Sequence, residues 1–379
     1  EFGRNYPRQT FSIGKTAAKL AKWSREMDTT RYVIANLILP TSSFETGYTD
    51  VLDIAGFSYK PAQYDYLREK YPNKIMMGTE NVPRWYEWKA CIERDYIAGV
   101  FLWTGVDYLG ERRAQQWPQK ATPEGPLDLA GFPRGSYYQF KSFWTDEPVI
   151  AVYTQTAKLS IFKKDADGNV VEKKKDYWKL APRVWQNVNP HWNYSEGEKI
   201  IVEIYSNCDE IELFQNGKSL GKQSLKDQED RIFKWATDYS KGKLTAVGTY
   251  KGKKVKETLE TVDEAYSIKL VPDRKMMTAN NTDVLHVVAQ LVDKKGREVK
   301  NVDDEIKFTI SGDYRFLGTD CGKTEKMDSF KKKMVKTEFG RCLLMIQSTK
   351  TPSDITITAT NESGSLKSKP LVIPVKEFN

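Results

Sequence analysis

The sequence predicts a multidomain chain: an α/β segment built on a parallel sheet, followed by all-β sandwiches. Three observations carry this. Strand-length apolar runs begin near residues 33, 51, 75 and 99 and alternate with helix-forming stretches. After Thr145-Asp146-Glu147-Pro148 the pattern changes to short strands divided by turn signals. The chain has 379 residues at 39% hydrophobic content, which supplies two to three domains with enough apolar mass for a core in each.

The first element runs from Lys15 to Met27, a stretch of helix formers with apolar residues at 17, 20, 21 and 27 marking one face. Tyr32-Val33-Ile34-Ala35-Asn36-Leu37-Ile38 and Val51-Leu52-Asp53-Ile54-Ala55-Gly56-Phe57 then read as buried parallel strands. Ala62 to Lys70 is helical in composition, Lys74 to Thr79 is strand-like, Trp85 to Tyr96 is helical, and Gly99-Val100-Phe101-Leu102-Trp103 is a fourth strand. Four such units make half of an eight-stranded barrel or most of a small doubly wound sheet, with right-handed crossovers in either case.

Beyond residue 148, Lys199 to Tyr205 and Glu210 to Phe214 are strands, Asn216-Gly217 is a two-residue hairpin turn, and Lys251-Gly252 closes another hairpin after Lys243 to Tyr250. A second set of strands covers Tyr266 to Leu270, Val284 to Val292, Glu305 to Ile310, Asp354 to Thr360 and Leu371 to Ile373. The polar stretch Glu257 to Ala265 separates the two sets. The expected domains are 1–148, 149–262 and 263–379, the last two being β-sandwiches.

Composition excludes several kinds of chemistry. With only His191 and His286, a His-rich metal site or a Ser-His-Asp relay has almost nothing to be built from, so carboxylates lead for proton chemistry. Cys91, Cys208, Cys321 and Cys342 form no CxxC pair, which argues against a zinc knuckle. A Cys321–Cys342 disulfide is open to the chain, but nothing in the sequence calls for it. No metal and no cofactor are expected.

The net charge of +8 invites a nucleic-acid reading. Residues 1–150, however, hold 19 basic against 18 acidic residues, so the excess lies later, in runs such as Lys173-Lys174-Lys175 and Lys331-Lys332-Lys333 that suit solvated hairpin edges. No nucleic-acid partner is expected. Aromatic residues are skewed the other way, 26 of 46 falling in the first 150 positions, which marks that end as the binding end. No apolar run approaches the roughly 18 to 20 residues of a membrane span. The opening Glu1-Phe2-Gly3-Arg4 resembles neither an initiator nor a signal peptide, so the chain is expected to begin inside a longer protein.

If the parallel sheet belongs to a barrel, reactive groups sit at the carboxyl ends of its strands. The residues there are Tyr59, Glu80 and Trp103. A carboxylate to attack or stabilise an oxocarbenium-like centre, a phenol to hold it ionised and an indole to stack on a pyranose together suit sugar chemistry. Glu80 alternatively reads as a carboxylate at the start of the following helix.

Val51 to Tyr59, Met76-Met77-Gly78-Thr79-Glu80-Asn81 and Gly99 to Glu111 closely resemble the last half of the catalytic barrel of glycoside hydrolase family 2, the β-galactosidase family. Asp28-Thr29-Thr30-Arg31 resembles the family's Asp-Pro-Thr-Arg segment, with Thr29 in place of Pro. His191-Trp192-Asn193 and Glu212 to Gly221 are similar to the immunoglobulin-like modules that follow that barrel. The resemblance implies the C-terminal part of a (β/α)8 TIM barrel followed by two immunoglobulin-like β-sandwiches. It implies a retaining mechanism with Glu80 as nucleophile, Tyr59 bonded to that carboxylate, and Trp103 lining the sugar subsite. Asp107 is a further substrate-binding candidate, though it and Glu111 equally suit support of the loop after the last strand. Trp85, Trp88 and Trp117 suit either the cleft or packing.

One departure matters. The family's acid/base is the Glu of a Gly-Asn-Glu segment, and no such segment occurs here. Glu1 stands at the edge where it would fall, but the acid is expected upstream of residue 1. The expectation is therefore a β-galactosidase-type retaining glycoside hydrolase acting on terminal β-linked sugars, with β-glucuronidase or β-mannosidase specificity as alternatives and this polypeptide alone inactive. A non-catalytic glycan-binding or adhesion protein is the alternative from another class. The partner expected is an oligosaccharide or glycoside. Open sheet edges add self-association or a missing N-terminal half. Relatives that degrade glycans are often exported, so the periplasm or the exterior is in view, but the sequence does not fix the compartment.

Overall fold

The computed structural model describes residues 7–111, 120–174, 187–325 and 328–378, with side chains from residue 13. The described residues divide into two compact units, one up to Gly105 and one from Val106 onward. Each is described by itself.

The first unit opens with α1 (Pro7–Met27), which starts earlier than the composition at Lys15 suggests. Proline suits a first helical position, where its missing N–H has no partner to lose. Four strands follow: β1 (Ile34–Leu37), β2 (Ile54–Ser58), β3 (Ile75–Asn81) and β4 (Ile97–Leu102). They form one sheet in the order β1-β2-β3-β4, each pair parallel. The short helix α2 (Pro40–Glu45) joins β1 to β2, α3 (Tyr64–Lys70) joins β2 to β3, and α4 (Trp85–Ile92) joins β3 to β4.

Leu37, Phe57, Tyr64, Leu67 and Met76 form the core between sheet and helices. On the opposite face Ile34 and Ile75, both in register with Ile54, are 38% and 50% exposed. Arg25 ties α1 to the entry of β2 by donating to the Val51 carbonyl at 2.9 Å and to Asp53 Oδ1 at 3.0 Å.

The second unit holds α5 (Gly135–Trp144) and two pairs of antiparallel sheets. The first pair sets a three-stranded sheet of β5 (Ile150–Thr156), β6 (Lys199–Ser206) and β9 (Ile232–Asp238) against a four-stranded one. That second sheet holds β7 (Glu210–Gln215), β8 (Lys218–Ser224), β10 (Lys243–Tyr250) and β11 (Lys253–Glu260). Val202, Ile204, Leu213, Phe233 and Leu244 fill the space between the two sheets. Both hairpin turns fall where Asn-Gly and Lys-Gly stand. Asn216 and Gly217 have φ of 51° and 82°, and Lys251 and Gly252 have 47° and 78°, the left-handed pair a two-residue hairpin requires.

The second pair sets Ser267–Pro272, Val284–Val292, Tyr314–Asp320 and Arg341–Ser348 against Glu305–Ser311, Met334–Lys336, Ile355–Asn361 and Leu371–Ile373. Leu285, Val287, Phe308, Leu344 and Ile357 lie in its core. The four cysteines are all buried. No helix among the described residues is long and apolar enough to cross a membrane.

Candidate active site

The carboxyl end of the parallel sheet is built from backbone pairing that continues past the strands. Tyr59 N–H donates to the Glu80 carbonyl at 2.8 Å, and Trp103 N–H donates to the Asn81 carbonyl at 2.9 Å. The structure thus brings Tyr59, Glu80 and Trp103 to neighbouring strand ends. Tyr59 takes φ 55°, a left-handed conformation that is uncommon for a residue with a bulky side chain.

The register of β2 on β3 explains where Glu80 points. Phe57 pairs with Gly78 but Ser58 pairs with Glu80, leaving Thr79 as an extra residue. A bulge of this kind re-aims side chains at a strand end. Thr79 Oγ1 lies 2.9 Å from Asn36 Oδ1, to which it donates, and 3.2 Å from the Phe57 carbonyl. Asn36 Nδ2 in turn donates to Glu80 Oε1. The hydroxyl occupies the amide oxygen and so fixes which end of Asn36 faces the carboxylate. Glu80 itself is half-buried.

Glu80 lies within β3, and α4 begins at Trp85 behind Arg84, so the carboxylate at that helix start is a different one. It is the buried Glu87, whose Oε2 accepts from Asn81 Nδ2 at 2.7 Å and ties the strand end to the helix. Trp88 packs against the core of the unit. Trp117 and Glu1 lie outside the described residues.

Asp107 does not have the geometry of a sugar ligand. Its side chain has no exposed surface, and its two oxygens pair with Arg134 at 2.7 and 2.6 Å while Gly125 N–H donates to Oδ1 at 2.9 Å. Burial outweighs Arg134 and holds its pKa above the ordinary carboxylate value. Glu111 accepts from the Tyr108 hydroxyl at 2.6 Å and likewise supports its loop.

Reasoning from strand ends missed Asn36, although a signal existed: it is the one polar residue within the run Val33 to Ile38. Among the described residues no group of three His, Cys, Asp or Glu is placed to hold a metal ion.

The sequence profile described as glycoside hydrolase family 2 C-terminal domain 5 matches residues 268–370, and one described as a domain of unknown function matches 197–256. A β-galactosidase of Bacteroides ovatus is 28% identical across 91% of this chain, which spans 42% of that protein. A putative β-glucuronidase of Formosa agariphila is 25% identical across 69% of this chain, and the match covers 22% of that protein. The crystal structure of a glycosyl hydrolase family 2 member from Bacteroides cellulosilyticus superposes with a TM-score of 0.84 at 27% identity, covering 98% of this chain and 48% of that one. The chain thus spans less than half the length of these relatives. Its C-terminal residues match a domain model of glycoside hydrolase family 2, and nearly its whole length superposes on a solved member of that family.

Proposed function

We propose that this chain carries the nucleophile half of a retaining glycosidase site, in which Glu80 attacks the anomeric carbon of a terminal β-linked sugar. The observation that carries the reading is the Glu80 carboxylate, re-aimed by a bulge at a parallel strand end and held there by the Asn36 amide. Attack forms a covalent glycosyl-enzyme as the aglycone leaves, and water then releases the sugar with net retention. Tyr59 holds the carboxylate ionised, and Trp103 offers an indole face to the pyranose.

The parallel sheet with its intervening helices is read as half of a (β/α)8 barrel over residues 1–148. The two antiparallel pairs are read as immunoglobulin-like modules at 149–262 and 263–379. Retention requires a second carboxyl about 5 to 5.5 Å from the first. With no Gly-Asn-Glu segment in the sequence, that acid/base is assigned outside residues 1–379, and the chain alone is expected not to turn over. The β-galactosidase and β-glucuronidase relatives leave the sugar open between a neutral hexose and a uronic acid.

The test is covalent trapping. Fluoride leaves without protonation, so a 2-deoxy-2-fluoro-β-glycosyl fluoride probes the nucleophile without the second carboxyl. Labelling of Glu80, seen by peptide mass spectrometry and abolished in Glu80→Gln, is the expected result. Comparing galactosyl and glucuronyl probes reads the specificity. Absence of label with every sugar, or label on another residue, refutes the assignment.

A further inference from the structure

Within the second unit a cavity of 390 Å³ opens where the loop 123–135 and the two sandwiches meet, lined by Asp128, Arg134, Tyr153, Lys323, Glu338 and Arg341 among others. The size falls within the range of small-molecule sites.

The charges on this wall are unevenly committed. Arg134 is spent on Asp107, and Lys323 Nζ is spent on Glu338 Oε2 at 2.9 Å. The Arg341 guanidinium is different: it lies over the Phe132 ring at 4.1 Å and makes no hydrogen bond or ion pair to the described residues. With its central carbon held over an aromatic ring, its N–H groups are left for a ligand oxygen pair.

Asp128 supplies the complement. Its Oδ1 accepts from Ala130 and Phe132 N–H, both at 2.9 Å, which locks the carboxyl in place. Its Oδ2 faces Gly322, where a Cβ would come within 2.2 Å, so only glycine lets the chain pass so close. Burial raises the Asp128 pKa to about 6, against the opposing pull of Arg134 and Arg341.

A free anion is poorly served here, because Asp128, Glu325 and Glu338 line the same wall and two of its three cations are already neutralised. A neutral polyol is well served. One hydroxyl donates to Asp128, its neighbour accepts from Arg341, and Tyr153 and Phe339 supply apolar faces for the C–H groups of a ring.

We propose that this cavity is an accessory binding site for a neutral saccharide, held by the Asp128 and Arg341 side chains and separate from Glu80. It does not depend on the glycosidase reading. The test uses the full chain with lactose, cellobiose and mannobiose as probes at millimolar concentration. Hydrogen exchange locates the ligand: slowed exchange at 128–135 and 338–341 is expected in wild type and in Glu80→Gln. In Arg341→Gln and Asp128→Asn, each checked for a wild-type melting curve, binding weakens roughly ten-fold or more. If those variants fail to fold, the wild-type exchange map alone decides. No slowing at those segments with any neutral sugar overturns the proposal, as does slowing there with glucuronate or sulfate only.

Discussion

Asn36 reaches the carboxylate of Glu80 across an intervening strand. The two residues stand on β1 and β3, with β2 between them, and the amide spans the gap because Gly56, in register with Asn36, carries no side chain. Removing the amide takes from Glu80 Oε1 the donor that Asn36 supplies. Asn36→Ala is expected to slow trapping of Glu80 by a fluoroglycosyl fluoride roughly ten-fold, with the melting temperature little changed. A trapping rate equal to wild type would show that the amide does not position the carboxylate.

Gly56 is the counterpart of that contact. A Cβ at this position would fall 2.5 Å from both the Ala35 carbonyl oxygen and Thr79 Cγ2. The first neighbour is backbone in a paired strand, so the sheet has to shift. Gly56→Ala is expected to cost about 1 to 3 kcal/mol in urea unfolding. It should also slow the trapping reaction, because the displaced Thr79 is what orients Asn36.

The parallel strands were legible because their centres read as apolar runs, although helices cover only one sheet face and Ile34 and Ile75 on the other are partly exposed. The sequence hid the bulge at Thr79, since an extra residue leaves no mark in composition, and with it the role of Asn36. Helix α5 also went unread: Gly135 to Trp144 carries five aromatics and no strong helix-forming periodicity. Its presence explains why Lys199 to Ser206 shows no alternation. Val202 and Ile204 face the sandwich core, while Tyr205 on the other face lies against Gly135 at the start of α5. A strand buried on both faces loses its two-residue period. The Asp107–Arg134 pair was unreadable for another reason: its partners are 27 residues apart and meet only through the fold.

Apolar side chains remain uncovered on the first unit. Leu20, Trp23 and Met27 of α1 are 52%, 56% and 88% exposed, and Phe101 of β4 is 60% exposed. Leu20, Trp23 and Met27 follow one another at helical spacing, and exposed apolar surface of this kind drives association. Light scattering is expected to report a mass that rises with concentration, and a double variant Trp23→Lys, Met27→Lys is expected to lower it. A constant monomer mass at high concentration would refute the expectation.

Arg134 is the partner that makes a fully buried Asp107 tolerable. Arg134→Leu leaves that carboxylate without its bidentate donor, and losing one half of a buried pair costs about 3 to 5 kcal/mol. The expected result is a lowered midpoint in thermal unfolding, partly recovered by adding Asp107→Asn, which removes the stranded charge. A single variant as stable as wild type would show that Gly125 N–H alone satisfies Asp107.

Glu203 offers a pH signature. It is buried beneath α5 on the outer face of β6, accepts from the Tyr205 hydroxyl at 3.0 Å, and has its pKa pushed from 4.5 to about 7 by burial, against the pull of Lys234. A raised carboxyl pKa means the folded state holds its proton more tightly than the unfolded chain does. The stability this contributes is fully present below about pH 4.5 and is lost as pH rises through about 7. Glutamine keeps an acceptor for Tyr205 but does not titrate. The stability of wild type relative to Glu203→Gln is therefore expected to fall across that window and level off above it, by an amount on the order of 3 kcal/mol. Asp128 titrates in both proteins and cancels from the difference. Urea unfolding at a series of pH values measures it, and a difference that stays flat from pH 4 to 8 would mean that Glu203 ionises in the fold at its ordinary value.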